Sequence, residues 1–352
     1  MLIHGGDIAS AAKTYAIAAG EWLDLSTGIN PKAYPVETVP VAAYQRLPYI
    51  CDDFYAAVEH YYRSSQGLAV AGTQSVIQQL PQLLSRQRIL LAEPGYAEYA
   101  WQFARQGFLC HSYNTAYAAT AEAEIQAALE EDNCQHLLVI NPNNPTAMRF
   151  SPQRLRSWAG MLAQPCYLVV DEAFIDLTPD QSLLGETLPD NVIVLRSFGK
   201  FFGLAGLRLG FVFCAEPLRE KIAAAQGPWA VNGPAQHIAR QALWDAAWQQ
   251  QAREDIEDFC DFTRQVFQRL LIDAEMISEA DAGLFLSYQL PRKKAELLHD
   301  ALARQAVLTR LLPVNEQRAW LRIGVANHMN PAVVKHLRQA VAGASAMIRA
   351  TN

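Results

Sequence analysis

The stretch R-S-F-G-K-F-F-G-L-A-G-L-R-L-G, residues 196–210, follows directly on the apolar run N-V-I-V-L at 191–195. An apolar run of that length, closed by a glycine-rich segment, predicts a strand buried on both faces. Lys200 then falls just past the carboxyl end of the strand, where open α/β sheets place their sites. Phe198, Phe201, Phe202 and Leu204 lie around it in sequence. Apolar surroundings favour the free amine that carbonyl chemistry needs. Ser197, three residues before, and Arg208, eight after, add a hydroxyl and a fixed positive charge, a pair suited to a phosphate. A glycine-rich turn with a snorkelling lysine would use similar residues, but it gives no reason for Ser197 and Arg208. The order G-x-x-x-x-G-K-[ST] is absent, which excludes a P-loop.

Outward from this stretch, short apolar runs alternate with helix-period segments from about Gly67 to Phe213. L-A-V-A at 68–71 precedes the helical stretch 75–84, and R-I-L-L-A-E at 88–93 precedes 95–106. H-L-L-V-I-N at 136–141 precedes 151–163, and C-Y-L-V-V-D-E-A at 166–173 is a further run. The alternation predicts an α/β fold with a mainly parallel sheet. Beyond Ala215 the pattern turns helical, with one long amphipathic stretch from about 234 to 271. Short strands near 284–289, 306–309 and 319–324 predict a smaller C-terminal α+β domain. The expected division is an N-terminal segment over 1–50, a large domain over 51–232 and a small domain over 233–352 that opens on an interdomain helix.

The 352 residues are 51% hydrophobic and 18% charged, with a formal net charge of −6. That is enough chain for a sizeable core, and it lacks the basic excess of a nucleic-acid or membrane-surface protein. The six cysteines form no C-x-x-C pair and lie mostly in apolar stretches, so they read as buried reduced thiols. No signal peptide and no spanning apolar stretch is visible, which makes the cytoplasm the expected location. The eight histidines have no metal-ligand spacing, and no G-x-S-x-G or G-x-G-x-x-G occurs. No metal is expected, and serine hydrolases and NAD-dependent dehydrogenases lose support.

Asp171 ends the V-V-D run. An acid there needs a partner, and a protonated pyridine nitrogen is one. Glu172 points the other way and fits a structural ion pair better. N-P-N-N-P-T at 141–146 is a rigid turn that places Asn144 at a strand end. A-G-T-Q-S at 71–75 opens a helix, where backbone N–H groups and Thr73 suit a phosphate. Tyr96, in E-P-G-Y-A-E-Y at 93–99, is placed to stack on a flat ring. Arg310 and Arg322 lie in apolar strand patterns, where each needs an anion: a substrate's, or a structural acid such as Asp281 or Glu316.

The order Gly72-Thr73-Gln74, Tyr96, Asn144, Asp171, Ser197, Lys200, Arg208, Arg322 resembles the fold-type I pyridoxal 5′-phosphate (PLP) enzymes of the class I/II aminotransferase family. The resemblance covers nearly the whole chain. It implies a seven-stranded-type large-domain sheet, a PLP cofactor bound as a Schiff base on Lys200, and a homodimer. It also implies that Asp171 meets the pyridine nitrogen, Asn144 the ring oxygen and Tyr96 the ring face. Gly72, Thr73, Gln74, Ser197 and Arg208 would take the phosphate, and Arg322 the substrate's acidic group. Within the family, I-H-G-G-D at 3–7, L-D-L-S-T-G-I-N-P at 23–31, Phe174 and the two late arginines resemble the threonine-phosphate decarboxylases of cobalamin biosynthesis. In that branch His4, Asn30, Asn144, Arg310 and Arg322 would bind L-threonine O-3-phosphate. Leu47 stands where many relatives have a tyrosine that reaches the partner subunit's cofactor phosphate; Tyr44 and Tyr49 are nearby substitutes. The same motifs serve a histidinol-phosphate or other amino-acid aminotransferase, and a non-catalytic PLP-fold binding protein is the alternative from another class.

Overall fold

The computed structural model describes residues 4–351; Ile3 of the I-H-G-G-D opening lies outside them. The chain forms two compact units. One gathers Ala33–Asn144 with Met148–Gln250; the other gathers the described residues up to Lys32, the short piece Pro145–Ala147, and the chain from Gln251 on.

The larger unit is built on seven strands: β1 (Gly67–Val70), β2 (Arg88–Glu93), β3 (Leu109–Asn114), β4 (Gln135–Ile140), β5 (Leu168–Asp171), β6 (Val192–Ser197) and β7 (Gly210–Phe213). They form one sheet in the order β1-β7-β6-β5-β4-β2-β3. Strand β7 runs antiparallel to β1 and β6, and every other neighbour is parallel. The mainly parallel α/β sheet expected from the apolar runs is therefore present. Strands β4, β5 and β7 are buried throughout, which is why their sequences show no polar alternation. Edge strand β3, L-C-H-S-Y-N, is half-exposed and polar, and carries no comparable apolar run.

Helix Thr73–Leu83 follows β1, Ala97–Arg105 follows β2, and Pro152–Met161 follows β4. Val76, Ile77 and Leu80 of the first and Tyr99 and Phe103 of the second pack on Ile89, Leu138, Val169, Ile193 and Leu195 of the sheet. Each such fully buried side chain stabilises the fold by about 1.5–3 kcal/mol. This packing fixes where the first turn of each helix meets the strand ends.

The long amphipathic stretch expected from about 234 to 271 forms two helices, Gly233–Trp244 and Ala246–Asp273. Asp245 separates them and caps the second, its Oδ1 accepting from the Trp248 amide at 2.9 Å. Helix Gly233–Trp244 packs on helix Asp52–Tyr62, so the two units part at Gln251, not at 233.

The smaller unit holds β8 (Ser278–Asp281), β9 (Phe285–Pro291), β10 (Arg310–Pro313) and β11 (Arg318–Gly324). They form an antiparallel sheet in the order β10-β11-β9-β8. Leu23–Asp24 pairs in parallel with Val307–Leu308, which ties the N-terminal segment to this unit. Helix Arg292–Ala303 packs against the terminal helix Pro331–Thr351. The cysteines are less uniform than expected: Cys166, Cys214 and Cys260 are buried, whereas Cys51 and Cys134 are exposed. Short stretches of apolar sequence do not guarantee burial when they sit at a helix start or a strand approach.

Candidate cofactor and substrate site

A cavity of about 160 Å³ opens at the carboxyl ends of β5 and β6. Gly72, Thr73, Gln74, Tyr96, Asn144, Asp171, Ser197, Lys200 and Arg208 all line it, together with Phe174. Every cofactor residue singled out in the sequence thus meets in one place, inside the larger unit.

The backbone explains the convergence. Gly72 adopts φ +73° and caps helix Thr73–Leu83, leaving that helix's first N–H groups facing the cavity side. A Cβ on Gly72 would lie 2.7 Å from Arg208 Nη2, so only glycine admits the guanidinium so close to the helix start. Opposite it, β7 begins at Gly210, whose register partners are Val70 and Ser197. A Cβ there would lie 2.7 Å from the Thr73 nitrogen. Glycine at this spot lets β7 press against the helix start, so Thr73, Ser197 and Arg208 share one corner.

Asp171 sits at the other side, 5% exposed. Its Oδ2 accepts from the Tyr99 hydroxyl at 2.8 Å and its Oδ1 from the Ala173 amide at 3.0 Å. Burial raises its carboxyl above the usual range, while the two hydrogen bonds and the charge of Lys200 pull it back. Tyr96 donates to Gln74 Oε1 at 3.1 Å, and Gln74 donates to Glu98 Oε2 at 2.9 Å. That chain joins the first turns of two helices and orients the Tyr96 ring. Lys200 Nζ stands 5.5 Å from the centre of the Phe174 ring. The turn that carries Asn144 is fixed from both sides: Asn141 exchanges hydrogen bonds with Phe150 at 2.9 and 3.1 Å, and Asn143 donates to the Pro94 carbonyl at 3.0 Å.

Tyr99 was not foreseen. The signal was present, because Tyr99 lies in the first turn of the helix that opens directly after Tyr96. Glu172 is a structural ion-pair member, 3.5 Å from Arg196, and faces away from the cavity.

The candidate substrate residues lie in the smaller unit, apart from Asn144. Arg310 and Arg322 are register partners on β10 and β11. Arg322 is buried, lies over the Phe285 ring at 5.2 Å, and donates through Nη2 to the Ser26 carbonyl. Burial disfavours the charged form of Arg310. Ser26 Oγ accepts from the Gly6 amide at 2.7 Å, which brings the segment after exposed His4 onto the same loop as Arg322's partner. Asn30 is buried and its Oδ1 accepts from the Lys32 amide at 2.9 Å. The acids proposed as structural partners are taken elsewhere: Asp281 by Arg264 at 2.7 Å and Glu316 by Arg292 at 3.7 Å.

The larger unit's cavity fits PLP on its own chemistry. It offers a buried carboxylate for a pyridinium, an amine beside it, and a corner of backbone N–H groups, hydroxyls and a guanidinium for a phosphate.

Comparison with known proteins agrees with that geometry. The family described as "Aminotransferase class I and II" matches residues 44–341. The chain is 41% identical to a threonine-phosphate decarboxylase of Pseudomonas aeruginosa, covering 92% of this chain and 93% of that one. It is 40% identical to another from Sinorhizobium sp, over 92% and 93% of the two chains. Among solved structures, a Sinorhizobium meliloti histidinol-phosphate aminotransferase in complex with pyridoxal-5′-phosphate superposes with TM-score 0.76 at 18% identity, covering 100% of this chain and 96% of that one. With the cavity and these likenesses together, the chain belongs to the aminotransferase class I and II family and is a PLP-dependent enzyme.

Proposed function

We propose that the protein decarboxylates L-threonine O-3-phosphate to (R)-1-amino-2-propanol O-2-phosphate and carbon dioxide, as a step of cobalamin biosynthesis in the cytoplasm. The observation that carries this is the 41% identity, over nearly full length, to a threonine-phosphate decarboxylase. The in-register pair Arg310 and Arg322 supports it. Two guanidinium groups held opposite each other on adjacent strands suit a substrate that bears both a carboxylate and a phosphate.

When bound, PLP acts as an electron sink for whichever bond at the substrate's α-carbon stands perpendicular to its ring. Lys200 would hold the cofactor through Nζ and serve as the proton carrier at the α-carbon. Asp171 would keep the ring nitrogen protonated, and Tyr96 would cover one ring face. Asn144 would donate to the ring oxygen, a task it carries largely alone because Phe174 has no hydroxyl. Thr73, Gln74, Ser197 and Arg208 would fix the phosphate, with Gly72 giving them room. His4, Asn30, Arg310 and Arg322, with Asn144, would fix the substrate's rotation. That orientation selects the carboxylate over the α-hydrogen as the group that leaves.

Incubation of the purified holoenzyme with L-threonine O-3-phosphate should release carbon dioxide and the amino alcohol phosphate in equal amounts. Keto-acid formation without gas would overturn the assignment in favour of an aminotransferase. Full biological activity of a Lys200→Ala protein would overturn both in favour of a binding protein.

A homodimer completes the proposal. Val41, Tyr44, Leu47, Tyr49 and Trp229 are all exposed, in the larger unit, and a run of exposed apolar groups suits a subunit contact. A fully active monomer by light scattering would refute it. No helix among the described residues is long and apolar enough to cross a membrane.

A further inference from the structure

Behind the cofactor cavity, on the opposite face of β5 and β6, lies a buried charge cluster that the proposed chemistry does not use. Arg196, Glu172 and Asp176 are each no more than 3% exposed. Arg196 Nη2 meets Asp176 Oδ1 at 2.5 Å, and Nη1 meets Glu172 Oε2 at 3.5 Å and Ser182 Oγ at 3.2 Å. Glu172 also accepts from Ser182 Oγ at 2.5 Å and the Leu183 amide at 2.8 Å. Asp176 accepts from the Tyr61 hydroxyl at 2.9 Å, and the guanidinium lies 4.7 Å from the Tyr62 ring centre.

The sequence positions matter more than the pairing. Arg196 directly precedes Ser197, and Glu172 directly follows Asp171, so strand alternation sends each to the face opposite its cavity-lining neighbour. Glu172 and Asp176 also bracket Ala173 and Phe174, which both line the cavity and of which Ala173 donates its amide to Asp171. One guanidinium therefore grips both ends of the segment 172–176 and ties it to the strand that leads into Lys200. Burying three charges is costly, and apolar residues of similar volume would hold two strands together at least as well. Stability alone gives little reason for the cluster.

We propose that Arg196, with Glu172 and Asp176, is a positioning device that fixes Asp171 and Phe174 relative to Ser197 and Lys200. It rests on the assignment of Asp171 and Ser197 as cofactor-binding residues. Support of this kind, from behind a site, commonly changes affinity by about ten- to a hundredfold when removed.

The test uses the full chain, stripped of cofactor and titrated with PLP. Dissociation constants come from fluorescence, the pH midpoint of the bound cofactor's absorbance from spectroscopy, and the melting temperature from the cofactor-free protein. Arg196→Met should weaken PLP at least about tenfold and move the pH midpoint, whereas Arg196→Lys, which keeps one charge, should recover part of both. PLP affinity within about twofold of wild type, with an unmoved midpoint in a folded Arg196→Met protein, would overturn the proposal. If Arg196→Met does not fold, Glu172→Gln decides by the same criteria, since it retains the Ser182 and Leu183 contacts while removing the charge. Asp171→Asn serves as the control. Loss of affinity there with none in the cluster variants defeats this inference alone, and no loss in Asp171→Asn defeats the underlying site assignment.

Discussion

Replacing Asp171 by asparagine should separate cofactor binding from folding. The carboxylate is 5% exposed and raised above its ordinary range, chiefly by burial. An asparagine can keep both existing contacts. Its Oδ1 can accept from the Ala173 amide, and its Nδ2 can donate to the Tyr99 oxygen, replacing bonds now at 3.0 and 2.8 Å. What it cannot do is carry the negative charge opposite a pyridinium. A hydrogen bond to a charged group contributes about 1.5–3 kcal/mol, so PLP affinity should fall about ten- to a hundredfold. At a cofactor concentration about 1,000 times the wild-type Kd, bound PLP adds about 4.1 kcal/mol to stability; the variant should keep only about 1.4–2.7. The cofactor-free protein should behave in the opposite way. A carboxyl whose pKa is raised on folding contributes stability below its unfolded value, and that contribution is lost as pH rises through the folded one. The asparagine protein lacks this loss. Its cofactor-free Tm should therefore match or exceed wild type at pH 7, and its advantage should grow as pH rises out of the acid range. Differential scanning fluorimetry with and without PLP, across pH, measures both. A lower cofactor-free Tm together with unchanged PLP affinity would refute the reasoning.

Tyr99→Phe removes the donor to Asp171 while keeping the buried ring, and should lower cofactor-free stability by about 1.5–3 kcal/mol in urea melts. Gly72→Ala forces a side chain against Arg208 at a positive φ, so PLP titration should show weaker binding with the substrate affinity of the residual holoenzyme little changed. Arg322→Ala should raise the KM for threonine phosphate about ten- to a hundredfold while leaving the PLP Kd near wild type, a split that steady-state kinetics and fluorescence titration resolve together. Leu80→Ala, at a fully buried position under the sheet, should cost about 2–5 kcal/mol of unfolding free energy.

Much of this was visible in the letters because its causes are local. R-I-L-L-A-E reads as a strand and is β2 residue for residue, since a run buried on both faces has little choice of composition. Ser197, Lys200 and Arg208 lie within one short stretch made of two brief helical turns, so their spacing carries the chemistry directly. What escaped the sequence depends on partners far along the chain. Strand β3 is polar because its edge position leaves it half-exposed. The break at Asp245 hides inside an unbroken apolar period, and a single capping aspartate decides it. Tyr99 gains its meaning from Asp171, 72 residues away, and the Arg196 cluster gathers groups from three separate segments. Asp281 and Glu316, the structural acids offered as alternatives to a substrate anion for Arg310 and Arg322, pair with other arginines, which only the folded chain reveals.

The division of the chain into two units bears on how such an enzyme can change. Residues that line the cofactor cavity come from the stretch Ala33–Gln250, and the arginine pair, with His4 and Asn30, from the remainder. On the roles proposed above, a lineage could rewrite the segments 4–32 and 307–324 to trade one substrate or one broken bond for another while leaving the residues that line the cavity unchanged. For a library aimed at new specificity, those two short segments are the natural place to diversify, and the cavity of the larger unit is the part to leave untouched.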